Sequence, residues 1–159
     1  MKDGFTAQPL ISVITAVKNS VCTIERSIQS VIAQRYRHIE YIIIDGASTD
    51  GTVEVLKKYS CNIDHMLSEP DTGVYSAWNK GLALATGEWV CFLGADDFFS
   101  DISSLEVIVS VMDVSLLLRQ LNRSVMRHKQ HRDARRTFSL YTGHSEGTAY
   151  AFWPLIQVG

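Results

Sequence analysis

The chain has 159 residues, 46% of them hydrophobic and 20% charged, with a formal net charge of -2. That is enough apolar material for one core of ordinary size, and a second full domain is not expected. There is no run of about eighteen apolar residues, and residues 1–9 lack the basic and apolar regions of a secretion signal, so the expected location is the cytoplasm. The three cysteines, Cys22, Cys61 and Cys91, are widely spaced with no CxxC pair. They are expected to be reduced thiols, buried where Cys22 and Cys91 have apolar neighbours, with no catalytic or metal role.

In chain order, Leu10 to Val17 is a β-branched run fit for a buried strand. Asn19 or Ser20 is placed to cap a helix over Cys22 to Ala33, with Cys22, Ile28, Val31 and Ile32 as its apolar positions. A second strand follows at Ile39 to Ile44, then a short helix from Thr52 to Tyr59 entered through Ser48, Thr49 and Asp50 as capping candidates. Asp64 to Leu67 reads as a third strand, Val74 to Ala85 as a helix closed by Thr86 and Gly87, and Glu88 to Leu93 as a fourth strand. Strands alternating with helices in this way imply βαβ units and a largely parallel sheet. Ile102 to Met112 has the spacing of an amphipathic helix, and Val114 to Val125 has a weaker form of it. For Phe138 to Gly159 two readings stand open, strands added at a sheet edge or a poorly ordered tail.

Charge is uneven along the chain. Between residues 119 and 136 lie Arg119, Arg123, Arg127, Lys129, Arg132, Arg135 and Arg136, opposed only by Asp133. Such a run can serve nucleic acid, anionic lipid or a phosphorylated partner, but no aromatic residues interleave with it, which favours a solvated helix face or a disordered tail; no nucleic acid is expected, and an anionic membrane surface is the functional alternative.

Acidic groups fall where two strands end. Tyr41 to Ile44 runs into DGASTDGT (Asp45 to Thr52), and Trp89 to Leu93 runs into GADD (Gly94 to Asp97). In an open α/β sheet the loops after the carboxyl ends of strands line the ligand crevice. Asp96 and Asp97 together make a compact oxygen-rich site of the kind that hard divalent cations share with phosphates. The first motif has neither the lysine of a P-loop nor the G-x-G-x-x-G of a dinucleotide fold, so it is no phosphate cradle of those types. Asp45 instead offers an acceptor at a strand end, and Gly46 lets the loop approach closely.

VITAVKN (Val13 to Asn19), DGASTDGT, EPDTGVYSAWNKG (Glu69 to Gly81) and ATGEWVCFLGADD (Ala85 to Asp97), in this order, resemble the family-2 inverting glycosyltransferases. The resemblance implies a GT-A fold, α/β and Rossmann-like, with a mostly parallel sheet flanked by helices and incomplete at its C-terminus. It covers about Pro9 to Asp97, and nothing after about residue 110 matches it. It implies a nucleotide-sugar (donor) region at 1–112 and a divergent or truncated acceptor region at 113–159 that is not an independent domain. By this resemblance Thr15, Val17 and Asn19 border the nucleoside, Asp45 bonds the base, and Asp96 faces the ribose or sugar. Asp97 ligates Mn2+ or Mg2+, while Asp71 and Lys80 flank the donor. The implied reaction moves a sugar from a nucleotide-diphosphate sugar, with UDP favoured, to a glycan or lipid-linked acceptor hydroxyl, with inversion. Cell-envelope polysaccharide or glycolipid synthesis is the implied setting.

The acids after Asp97 are Asp101, Glu106, Asp113, Asp133 and Glu146, and none matches the family's catalytic base. An alternative is therefore a nucleotide-sugar-binding module that lacks the acceptor half and transfers nothing. A remoter one is a nucleotidyltransferase, for which only Lys18 offers a phosphate grip near the first strand.

Overall fold

Four apolar runs become four parallel strands, each beginning within about a residue of where the β-branched pattern places it. The computed structural model describes residues 8–111 and the backbone of Gly143–Ser145 and Thr148–Pro154. In order these residues form β1 (Ile11–Val17), α1 (Ile24–Ile32), β2 (Ile39–Asp45), α2 (Thr52–Lys58), a 3-10 turn (Ser60–Asn62) and β3 (His65–Ser68). Then come α3 (Val74–Leu84), β4 (Trp89–Gly94), a helix α4 over 104–111, β5 (Gly143–Ser145) and β6 (Thr148–Pro154). The strand order is β3-β2-β1-β4-β6-β5. The first four strands run parallel, while β6 lies antiparallel to β4 with Trp89 opposite Pro154, and β5 lies antiparallel to β6. Of the two readings of the C-terminal stretch, the sheet-edge one holds for β5 and β6. The expected helix at Val114 to Val125 and the basic stretch at 119–136 lie outside the described residues.

Alternation along the strands divides the core in two. Odd-numbered positions, among them Ile11, Val13, Tyr41, Ile43, Cys91 and Leu93, pack with Ile24 and Ile28 of α1, Leu56 of α2 and Leu105 of α4. Even-numbered Ile14, Ile42, Ile44 and Val90 pack with Ala77 of α3, and Trp78, Leu82 and Phe92 close over them. At Gly81 the helix approaches the sheet so closely that a Cβ would lie 2.4 Å from Ile14 Cγ2. The two faces therefore have different jobs, a thick helical layer on one side and one tightly seated helix on the other.

At the amino end of the α3 face a buried carboxylate ties three segments together. Glu40 accepts from Ser12 Oγ at 2.5 Å, from Thr86 N at 2.8 Å and from Thr86 Oγ1 at 2.8 Å, with His65 Nε2 3.7 Å away. Gly87 N in turn donates to Ser12 Oγ at 2.9 Å. Burial alone pushes the Glu40 pKa up, but the donors from Ser12 and Thr86, with the His65 imidazole, outweigh it and hold the carboxyl below its ordinary range.

Several local expectations are corrected. Neither Asn19 nor Ser20 caps α1 with its side chain: the N-cap is Thr23, and the Ser20 carbonyl takes the Ile24 N–H at 3.0 Å. Asn19 has φ 50 and is spent on the neighbouring loop. For α2 the N-cap is Gly51 in the left-handed region, preceded by Asp50, which accepts from Thr52 N at 3.0 Å; Ser48 and Thr49 bond elsewhere. Cys91 is buried, and burial pushes its thiol pKa up, but Cys22 and Cys61 are exposed. Cys22 sits in the turn before α1, off the stripe that Ile24, Ile28 and Val31 present to the core.

Candidate functional site at the carboxyl edge of the sheet

Register brings the strand ends to one line. Val17 pairs with Asp45 and Asp45 with Ser68, while Ala16 pairs with Gly94. The loops that follow, 18–20, 46–51, 69–73 and 95–97, therefore leave the sheet at the same edge, as the strand-end motifs imply.

The first two loops are sewn to each other. Asn19 N donates to Ser48 Oγ at 2.7 Å, and Asn19 Oδ1 accepts from Thr49 N at 2.9 Å. Val21 N donates to Asp50 Oδ2 at 3.0 Å. Asp45 is fully buried: its Oδ2 accepts from Ser48 N at 3.1 Å and from Ser68 Oγ at 2.6 Å, and its Oδ1 from Ser48 Oγ. It therefore orders the loop after β2 and joins it to β3. The third loop closes against the second, since a Cβ on Gly46 would meet Asp71 Oδ2 at 2.6 Å. Asp71 Oδ1 accepts from Gly73 N at 3.0 Å, and Lys80 of α3 holds the same loop through Glu69 at 2.8 Å and the Pro70 carbonyl at 3.1 Å. The side chains of Thr15 and Val17, expected at the nucleoside, are buried in the sheet, with Val17 in register with Asp45 at this edge. Both are odd-numbered and buried; Thr15 Oγ1 lies 3.3 Å from the Tyr41 hydroxyl, and Val17 belongs to the α1-side core.

Asp96 and Asp97 meet over the end of β4. A Cβ built on Gly94 would lie 2.8 Å from Asp97 Oδ2 and 2.9 Å from Asp96 Oδ1, so any other residue at 94 would occupy the space where the two carboxylates converge. Gly94 is even-numbered, which puts this convergence on the α3 face. Gly94 N donates to Asp97 Oδ2 at 3.3 Å. Burial, then the neighbouring Asp96 charge, raise the Asp97 pKa, with the Gly94 N–H opposing them. Two like charges left this close suit a hard divalent cation, which prefers oxygen ligands and is commonly shared with phosphate and water. Among the described residues no group of three or more His, Cys, Asp or Glu gathers as a self-sufficient metal cage.

Two serines of α1, with Gln34 just beyond its end, fix the segment that carries this pair, a feature the sequence reading missed. Ser27 Oγ donates to the Gly94 carbonyl at 3.3 Å, and Phe99 N donates to Ser30 Oγ at 3.0 Å. Buried Gln34 donates to the Asp101 carbonyl at 2.8 Å and accepts from Leu105 N at 3.1 Å. The Arg26 guanidinium lies 3.5 Å from the Phe98 ring centroid. The polar spacing Ser27, Ser30, Gln34 is itself helical, and was the signal available. An open cavity of 230 Å³ lined by Tyr36, Ile39, Asn62 and Asp64 lies at the other end of the strands, away from these loops.

An open α/β domain with its loops gathered at the carboxyl edge, and a paired carboxylate after the fourth strand, forms a ligand crevice at that edge. The chain belongs to glycosyl transferase family 2, whose family model matches residues 12–145. That match runs further along the chain than the motifs quoted above. The chain is 34% identical over 102 residues to a PGL/p-HBAD biosynthesis glycosyltransferase of Mycobacterium bovis, which covers 62% of this chain and 40% of that protein. Among solved structures it resembles S. aureus TarS 1-349 in complex with UDP-GlcNAc, with a TM-score of 0.60, 27% identity, and coverage of 65% of this chain and 31% of that one. It also resembles the mannosyltransferase PcManGT of Pyrobaculum calidifontis, solved with GDP-Man and Mn2+, with a TM-score of 0.57, 28% identity, and coverage of 61% and 30%. The fold is GT-A. The chain spans 37% to 40% of the length of the curated relatives it matches.

Proposed function

We propose that this chain binds a nucleotide-diphosphate sugar, a UDP-sugar by preference, at the carboxyl edge of its sheet, and serves its transfer to an acceptor hydroxyl with inversion. The observation that carries this reading is the convergence of Asp96 and Asp97 over Gly94, in line with the loops after β1, β2 and β3. Asp97 would hold Mn2+ or Mg2+, and Asp96, the more exposed of the two, would face the ribose or sugar. When bound, the metal neutralises charge on the departing diphosphate as a Lewis acid. Asn19 and Asp45 border the nucleoside by fixing the two loops around it, a positioning role, since the Asp45 carboxylate is buried and already takes three protein donors. Asp71 and Lys80 hold the third wall. An acceptor hydroxyl then attacks the anomeric carbon from the side opposite the diphosphate; the bond to the leaving oxygen breaks, and the hydroxyl proton passes to a general base.

By the same proposal residues 1–112 are the donor region and 113–159 belong to the acceptor side, with a glycan or lipid-linked acceptor of the cell envelope. The setting proposed is the cytoplasm, at the inner face of an anionic membrane that the basic residues between 119 and 136 approach.

Calorimetric titration of the chain with UDP, with and without Mn2+, tests the donor site. Metal-dependent binding that weakens about 100-fold in Asp97→Ala is the expected result. Equal binding by the two proteins, or none by the folded unsubstituted chain with GDP and TDP also silent, overturns the reading.

A further inference from the structure

Three aromatic rings climb from the middle of β4 to the ligand edge on the α3 face. Phe92 packs tilted against Trp78 with centroids 4.8 Å apart at 39°, and Trp78 meets Tyr75 edge-on at 5.7 Å and 87°. The last ring stands in solvent: Tyr75 is 76% exposed, the most exposed of the large hydrophobic side chains described, beside Val74 at 47%. Phe92 precedes Gly94 by two positions and so shares its face, and the Asp96 and Asp97 carboxylates converge over Gly94 on that same face. The ladder and the acidic pair thus lie on one side of the sheet at one edge.

Tyr75 is also held in place. It lies in the first turn of α3, a helix locked to Ile14 at Gly81, and the loop before it is tied down by the Asp71 turn and by Lys80. Among the described residues Trp78 Nε1 is buried without a hydrogen-bond partner, a penalty that a phenylalanine at 78 would avoid. A fixed aromatic face left in water beside a polar site suits a ligand with one apolar face and a polar rim. A pyranose ring is such a ligand: its axial C–H groups form an apolar face, and its hydroxyls lie around the rim.

We propose that Tyr75, backed by Trp78 and Phe92, is the stacking platform for the pyranose ring handled at this edge. This rests on the donor-site reading above. The ring has two sources, the sugar of the donor or the acceptor glycan, and the two separate experimentally. The chain is titrated by calorimetry with UDP, UDP-glucose and UDP-N-acetylglucosamine in Mn2+, and then, saturated with UDP, with methyl glucoside followed by tryptophan fluorescence. The same series is run on Tyr75→Ala and Tyr75→Phe.

If the ring is the donor's, Tyr75→Ala weakens the tighter UDP-sugar about tenfold and leaves UDP unchanged, while Tyr75→Phe binds both like the unsubstituted chain. If it is the acceptor's, all nucleotides bind alike and the methyl glucoside response disappears in Tyr75→Ala only. Either result supports the platform. A folded Tyr75→Ala that matches the unsubstituted chain in every titration overturns it, as does an unsubstituted chain that binds UDP yet gains nothing from the sugar and ignores the glucoside. Failure to bind UDP at all is a different outcome: it overturns the donor-site reading, and this inference with it.

Discussion

Glu40 and the Asp96–Asp97 pair stand at opposite ends of the same face of one sheet, and they are opposites in chemistry. Glu40 is surrounded by donors from Ser12 and Thr86, and its pKa is lowered although burial alone would raise it. Asp97 has the Gly94 N–H and a second carboxylate for company, and its pKa is raised. A carboxylate that serves the fold is satisfied by the fold. One left short of donors and pressed against a like charge suits a positive ligand.

The contrast is broken most forcefully at Glu40. Glu40→Ala strands the buried Ser12 hydroxyl and takes the acceptor from the Thr86 N–H and hydroxyl, which lie nearer solvent, so urea denaturation should show a loss of about 2 kcal/mol. An unchanged midpoint would mean that the network contributes no net stability. Acid adds a second axis. Because the folded pKa of Glu40 lies below its ordinary 4.5, its contribution is complete above the unfolded carboxylate range and is lost as pH falls through the folded value. The stability gap between the unsubstituted chain and Glu40→Gln should therefore be constant above about pH 6 and close in more acidic solution. A gap that widens toward acid would show the sign to be wrong.

Next in size is the α1 seam. Ser30→Ala leaves the Phe99 N–H without its acceptor and should cost about 1 kcal/mol. If the seam also aims the acidic pair, Mn2+-dependent UDP binding should weaken more than metal-free UDP binding does. Equal weakening of both would reduce the seam to a purely structural role.

How much of this was legible follows from what each signal depends on. The strands were readable because a buried parallel strand is a continuous β-branched run, and the two acidic strand ends because GADD and DGASTDGT interrupt such runs abruptly. Capping was misread at Asn19, Ser48 and Thr49 because the pattern sees only neighbours in sequence. In the fold Asn19 meets Ser48 and Thr49 about thirty positions away; these contacts take the Asn19 and Ser48 side chains and the Thr49 backbone N–H, away from the helix starts a local rule assigns them to. Thr15 and Val17 were placed at the nucleoside by family resemblance; strand parity buries both side chains, so such a contact would come from their backbone. Glu40 passed unnoticed inside an apolar run, since its partners Ser12 and Thr86 come together only when β1, β2 and the turn after α3 do.

The smallest expected effect on stability is also the sharpest test of the comparison. Asp97→Asn keeps the shape of the side chain, removes one of two like charges over Gly94, and takes away no hydrogen bond that the rest of the protein needs. Its stability without metal should fall within about 0.5 kcal/mol of the unsubstituted chain, on the stabilising side. Metal-dependent UDP binding should nevertheless be lost, because an amide oxygen carries no charge to offer the cation. A stability loss as large as that of Glu40→Ala would place Asp97 with Glu40 among the residues that hold the fold, and would remove the distinction on which the donor site rests.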